Sequence, residues 1–320
     1  MEKELKLIFD DEITVNGNLI SKVDKIKSLD INQGQTSDVF SNKWTEVDSD
    51  NSFNDIHQFQ FEWFLKLYGF ETEADLRKYL VGKPFIVDAG CGLGYKAAWL
   101  AKLSPNSIVI GIDISDAAIH AAKRYKDVEN LFFLNADIAD TGIKNNTINF
   151  TICDQVIMHT ENPEVTFRHL SSITKKDSEF ACYVYRKKAL PRELIDDYFR
   201  NQTHNISKED MWEFSQQLTQ LGKALSELNV SFNCPEIPVL GIKAGEYDVQ
   251  RFVYWNFLKC FYKEDWSASI NDATNYDWYA PTNAKRYSKE EFEVIIDENK
   301  MKINYFHEEE ACYSGRFIKV

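Results

Sequence analysis

The sequence predicts an α/β fold, a mostly parallel sheet with helices on both faces, on three observations. Between residues 85 and 185, apolar runs of strand length alternate with helical patterns, which implies successive right-handed strand–helix–strand crossovers. The first of those strands, Phe85 to Val87, runs into a turn with glycine at every second position, then a helix, Tyr95 to Lys102. After a long break, the alternation resumes at 289–320 with one helix and two strands.

The elements follow in order. Residues 1–55 read as an appendage with strand-like patches at Leu5 to Ile8 and Glu12 to Val15 and a hairpin turn at Asn16-Gly17. Residues 35–55 are polar and turn-rich, with Phe40 and Trp44 as anchors. Ile56 to Gly69 reads as a helix so rich in aromatics that it must be covered on two sides. Thr72 opens a second helix, to Leu80, and Gly82-Lys83-Pro84 launches the first strand. Strands follow at Ser107–Ile112, Leu131–Leu134, Ile148–Cys153 and Glu179–Tyr185, with helices at Ala117–Lys126 and Pro163–Ile173. Residues 189–287 hold four prolines, helical stretches at Arg192–Arg200 and Lys208–Leu228, and an aromatic stretch at Tyr247–Tyr262. That length exceeds a loop and carries its own apolar period, so it reads as a mainly helical insertion. A helix at Lys289–Glu298 and strands at Lys302–Phe306 and Gly315–Val320 close the chain as an antiparallel pair.

Bulk composition bounds the function. Hydrophobic residues make up 44% and aromatics 14%, enough for a sizeable packed core. A formal net charge of -13 argues against a broad nucleic-acid or anionic-membrane surface. The six cysteines are scattered with no C-x-x-C pair, which suggests a reduced cytoplasmic protein without a disulfide framework or zinc site. The charged start of the chain has no apolar signal core, and no run has membrane-span length. No clustered carboxylate–histidine ligand set points to a metal.

The chemistry gathers at strand ends, because open parallel sheets bind ligands at the carboxyl ends of their strands. Glycines let the backbone turn sharply and approach a ligand closely, and the following helix start offers oriented N–H groups. Dinucleotide folds want Gly-x-Gly-x-x-Gly, yet here Tyr95 stands where the third glycine belongs, and Gly94 comes one residue early. The pattern Asp88-x-Gly90-x-Gly92-x-Gly94 at the end of a first strand instead resembles motif I of the class I S-adenosylmethionine (SAM)-dependent methyltransferases. The likeness covers roughly residues 56–188 and 288–320 and implies a seven-stranded sheet with an antiparallel last strand. The insertion after strand 5 lies outside it and is expected to act as a lid over a substrate pocket.

The resemblance implies roles for particular residues. Gly90, Cys91 and Gly92 would pass under the methionyl part and ribose, with Asp88 holding the amino end of the tail; a plain alternative is that Asp88 caps a helix or forms a turn. Asp113 ends the second strand, 19 residues past Gly94, where a carboxylate can accept both ribose hydroxyls. Ile114 would pack on the adenine edge. Asn135-Ala-Asp137-Ile138 matches the segment that contacts adenine, with Asp137 accepting from its amine and the Ile138 N–H on the ring. Asp154 opens the segment after the fourth strand, which lines the cleft between SAM and acceptor. His159-Thr-Glu-Asn-Pro163 resembles a version found in many bacterial small-molecule methyltransferases. It is neither the Asn/Asp-Pro-Pro-Tyr of DNA adenine methylation nor a Pro-Cys of cytosine C5 chemistry.

His159 has a side chain suited to taking an acceptor proton, and it equally suits orienting the loop or capping the next helix. Tyr185 and Arg186 end the fifth strand, where Arg186, Lys187, Lys188 and Arg192 form a basic cluster; Arg186 is the best choice for an anionic acceptor group. Tyr254 stands for the aromatics of the insertion that would shape an acceptor pocket. The expected reaction is one in-line methyl transfer to a small molecule, with oxygen first and nitrogen or carbon otherwise. Three rivals stay open: a nucleotide-cofactor oxidoreductase, a SAM-binding sensor or partner protein without catalysis, and a protein or RNA methyltransferase.

Overall fold

The structure is a computed structural model that describes residues 2–10, 12–22, 33–40, 53–203 and 206–320. The chain divides into two compact units, Met1–Tyr185 with Lys285–Val320, and Arg186–Ala284.

The first unit begins with α1 (Glu2–Ile8), where a strand-like patch was expected. Leu5 and Ile8 are buried, while Leu7 between them is 70% exposed. Burial three residues apart is the helical period, and the Leu5/Leu7 alternation in the sequence is incidental. The hairpin β1 (Ile13–Asn16) and β2 (Leu19–Lys22) turns at Gly17, as its Asn-Gly predicts. Residues 33–40 form helix α2 rather than a polar turn-rich stretch. Its buried positions, Gln33, Thr36 and Val39, again repeat every three residues, but two of the three are polar, which hides the period. Trp44 lies outside the described residues.

Next come α3 (Phe53–Leu67) and α4 (Glu73–Leu80), the latter capped by Thr72, whose hydroxyl accepts the Asp75 N–H. The alternating region follows: β3 (Phe85–Ala89), α5 (Tyr95–Leu103), β4 (Ile108–Asp113), α6 (Ala117–Arg124), β5 (Leu131–Asn135), β6 (Ile148–Cys153), α7 (Pro163–Ile173) and β7 (Thr174–Arg186). Strand β7 starts five residues before its expected origin at Glu179. Lys175, Lys176 and Asp177 are exposed, and Asp177 has a φ of 61°, so this bulged entry carries no apolar pattern to read.

The second unit contains α8 (Leu190–Thr203), α9 (Lys208–Glu227), α10 (Val249–Asn256) and α11 (Ala268–Tyr279), plus a hairpin of β8 (Ser231–Cys234) and β9 (Gly245–Asp248). It is mainly helical, as expected; the hairpin was not foreseen, because its strands are short, largely exposed and separated by a long proline-bearing loop. Arg192 does not join a surface basic cluster. It is 1% exposed, and its Nε donates to Asp196 Oδ2 at 2.8 Å. Asp196 also accepts from Trp278 Nε1 and Tyr279 Oη, so both oxygens of this buried carboxylate are hydrogen-bonded.

Back in the first unit, β10 (Arg286–Tyr287), α12 (Lys289–Glu298), β11 (Met301–Glu308) and β12 (Cys312–Lys319) complete the chain. Ser288 and Glu291 form a reciprocal capping box that starts α12. The sheet order is β1-β2-β5-β4-β3-β6-β7-β12-β11, with β10 pairing β7 off that path. Strands β5, β4, β3, β6 and β7 are parallel, while β12 is antiparallel to both of its neighbours. This is the mostly parallel sheet with antiparallel closing strands that the sequence resemblance implies, extended beyond β5 by the amino-terminal hairpin. Chain direction around the sheet reverses between β3 and β6, which makes their carboxyl ends the switch point where such sheets take ligands. Aliphatic and aromatic side chains cover both faces, with α3, α4, α5 and α6 on one side and α1, α7 and α12 on the other.

Candidate functional site

The turn after β3 has three left-handed glycines, Gly90 (φ 85°), Gly92 (φ 51°) and Gly94 (φ 78°). Two of them are also sterically obligatory. A Cβ on Gly90 would fall 2.4 Å from Val156, and one on Gly94 would fall 2.6 Å from Phe133. The contact at Gly90 brings the loop after β6 against the glycine turn. The Cys91 thiol is buried inward, and burial raises its pKa, so this residue offers the turn only its backbone.

Asp88 is 2% exposed near the end of β3. The Ala97 backbone N–H in the first turn of α5 favours its charged form, but α5 has no side-chain cap. Among the described residues the Asp88 Oδ2 has no hydrogen-bond partner. Burial pushes its pKa up to about 6, partly offset by the Lys96 ammonium and reinforced by Asp154 and Asp113.

Asp113 closes β4. Its Oδ2 accepts the Gly92 N–H at 2.8 Å, and its Oδ1 accepts from Ser115 N at 2.9 Å and Ser115 Oγ at 2.6 Å. Burial raises its pKa, opposed by the Ser115 and Gly92 hydrogen bonds. The carboxylate therefore ties the glycine turn to the end of β4 and retains one lone-pair direction, on Oδ2, for a further donor. Asn135, to which the sequence assigned no role, locks the same corner: its Nδ2 donates to the carbonyls of Asp113, Ile114 and Ser115. Ile114 is half-buried beside it. Asp137 Oδ1 accepts the Ala139 N–H at 2.8 Å, which shapes the loop after β5, and the Ile138 side chain packs into the core.

Asp154 is the first residue past β6. Its Oδ1 accepts from Tyr68 Oη at 2.9 Å, and its Oδ2 from Lys96 Nζ and from Gln155 Nε2. Sequence reasoning missed Lys96 and Tyr68. One signal was present for the lysine: it shares a face of α5 with Leu100 and Leu103, both buried, so position 96 falls on the core side. Burial disfavours the Lys96 charge, but Asp154, Tyr95 and Asp88 outweigh it and hold the pKa above the usual lysine value.

His159 ends a 3₁₀ turn, Ile157–His159, that follows β6. Its Nε2 lies 3.3 Å from Tyr185 Oη, and its ring packs edge-on against Tyr185 and against Phe40 of α2. The structure thus brings together His159 and Tyr185, two residues chosen independently. The helix that follows is capped by Asn162, which accepts the Val165 N–H, so His159 does not cap it. Gln33 of α2 accepts the Glu161 N–H at 2.6 Å and fixes α2 to this loop. Arg186 is the last residue of β7 and is half-buried. Tyr254 is buried in the second unit, with the guanidinium groups of Arg192 and Arg251 each 5.5 Å from its ring.

Glycine turn, two strand-end carboxylates and switch point lie together at the carboxyl ends of the parallel strands, where sheets of this kind take ligands. Residues 84–229 match a family model described as a methyltransferase domain. Among curated relatives, an uncharacterised protein of Synechococcus sp. is 29% identical over 100 residues, 30% of this chain and 23% of its own length. An uncharacterised phycocyanin operon protein of Pseudanabaena tenuis is 45% identical over 38 residues, 12% of this chain and 36% of its own length. The chain thus spans only about a quarter to a third of the length of these relatives. Among solved structures, a magnesium protoporphyrin IX methyltransferase from Synechocystis with bound SAM is 13% identical at a TM-score of 0.47, covering 92% of this chain and 100% of that one. A SAM-dependent methyltransferase from Aquifex aeolicus is 12% identical at 0.45, covering 88% and 98%.

Proposed function

We propose that this protein is a SAM-dependent methyltransferase acting on a small molecule, with an oxygen nucleophile as the first choice of acceptor atom. The observation that carries the reading is the unpartnered Asp88 Oδ2, buried beside a three-glycine turn at the sheet's switch point. A buried carboxylate oxygen without a donor is costly, and the ammonium of an amino-acid tail supplies that donor. Asp113, already fixed by Gly92 and Ser115, presents its remaining lone pair, on Oδ2, to the ribose. Asp137 and the backbone at Ile138 form the adenine side.

When bound, the donor supplies an electrophilic methyl group on a sulfonium. The protein's own part is to hold the acceptor in line and to receive its proton. His159 fits the second task, since its Nε2 is oriented by Tyr185 and its loop touches the glycine turn through Val156. Arg186 is our choice for an anionic group on the acceptor. The six buried free thiols support a cytoplasmic protein.

Calorimetric titration with SAM, S-adenosylhomocysteine and NAD separates a methyl-donor site from a dinucleotide site. Heat with NAD alone would overturn the reading. Turnover across a metabolite panel then distinguishes an enzyme from a SAM-binding protein without catalysis. His159→Ala should lower kcat by roughly 10²-fold or more with SAM affinity unchanged; an unchanged kcat assigns the histidine to loop positioning.

A further inference from the structure

Two groups of opposite sign stand under-used in the same buried corner. One is Asp88 Oδ2, which no donor among the described residues reaches. The other is Lys96, 8% exposed in the first turn of α5, whose Nζ has three protons. Among the described residues that ammonium makes one hydrogen bond, to Asp154 Oδ2, and lies 5.9 Å from the Tyr95 ring centre. It pairs with Asp154 and not with Asp88, although both carboxylates act on it electrostatically. Asp154, by contrast, is well supplied, with Tyr68, Lys96 and Gln155 all donating to it.

Native proteins rarely leave buried charged donors and acceptors short of partners. A spare carboxylate oxygen and a spare ammonium donor that do not satisfy each other are complementary to one kind of ligand group: a zwitterion. An α-amino acid end carries an ammonium and a carboxylate on the same carbon, pointing in different directions, which suits a site where the two complementary charges are held apart. The anchoring of Lys96 by Asp154, itself held by Tyr68, keeps the ammonium pre-positioned, so little side-chain entropy is lost on binding.

Resting on the methyl-donor reading above, we infer that Lys96 binds the carboxylate of the donor's methionine end while Asp88 takes its ammonium, with Asp154, itself held by Tyr68, keeping Lys96 in place. Lys96 is thus a binding residue that the motif does not contain, and Asp154 is a positioning residue rather than a direct ligand contact. No bond is made or broken in this step.

The test compares two ligands on the full chain. S-adenosylhomocysteine has the amino-acid end; 5′-methylthioadenosine has the same adenosine and sulfur without it. Lys96→Met should weaken S-adenosylhomocysteine by about tenfold or more, the size of a charge-assisted hydrogen bond, and leave methylthioadenosine within about twofold. Because Lys96→Met strands the Asp154 charge, the double variant Lys96→Met/Asp154→Asn removes both charges and should show the same selective loss. Equal losses for the two ligands, or undiminished S-adenosylhomocysteine binding in the double variant, would overturn the inference. If the unaltered protein binds neither ligand, it is the donor assignment itself that fails. Binding of methylthioadenosine with no gain from the amino-acid end would leave that assignment standing and sink the Lys96 subsite alone.

Discussion

Asp88 is the residue where stability and function conflict. Its folded pKa, about 6, lies above the ordinary carboxylate value because it is buried, with Lys96 only partly offsetting the loss of water and Asp154 and Asp113 adding repulsion. A raised acid pKa means the folded state holds a proton that the unfolded chain has already released. Stability therefore falls as pH rises from about 4 to about 6 and stays lower above that, by roughly 3 kcal/mol from this one group. Asp88→Asn should then raise the melting temperature at pH 7.5 without ligand, and the advantage should vanish as pH drops towards 4, as a thermal-melt series would show. The same substitution should weaken S-adenosylhomocysteine, since an amide cannot offer a charged acceptor to the tail's ammonium. In the unaltered protein the affinity for that ligand should climb through pH 6 and level off. Methylthioadenosine, which lacks the ammonium, should show no such climb.

Elements meet their sequence signals where the signal is local. The Thr72 cap, the Ser288–Glu291 capping box and the strand–glycine–helix run from Phe85 all form where the residues put them. The turn itself depends on what lies across from it. Gly90→Ala would place a methyl 2.4 Å from Val156 on a backbone with φ 85°, a double strain. We expect a loss of about 2 kcal/mol or more in denaturant unfolding, together with loss of ligand heat. Adding Val156→Ala should recover part of the stability, because it relieves the clash and leaves the φ penalty. Thr72→Ala serves as the contrast: about 1 kcal/mol less stable, with ligand affinity intact.

At the scale of the molecule, each unit has its own buried framework. The sheet unit is held by apolar layers on both faces, whereas the 186–284 unit places an ion pair, Arg192–Asp196, at its centre. Arg192 also lies over Tyr254 and Trp278, so it contributes stacking as well as charge. Arg192→Ala should cost about 3–5 kcal/mol by stranding Asp196. Hydrogen exchange should show the loss in 186–284, while the strands around β3 keep their protection. Uniform loss across the chain would mean that the two units unfold as one.

The sequence by itself determined the alternating core, the glycine turn and the acids at the ends of β3 and β4, because each is written in contiguous residues with a period or a spacing. It could place Asp113 without showing what holds it, since Gly92 and Asn135 reach it only across the folded strand ends. Only the tertiary structure decided that Asp154 meets Lys96 and Tyr68, which lie 58 and 86 residues from it in the chain. It also decided that α2 brings Phe40 to His159 and that Arg192 is interior. The physical reason is common to all of these. A charge or hydroxyl carries no period of its own, so its partner is set by how distant strands register and pack, not by its neighbours in sequence.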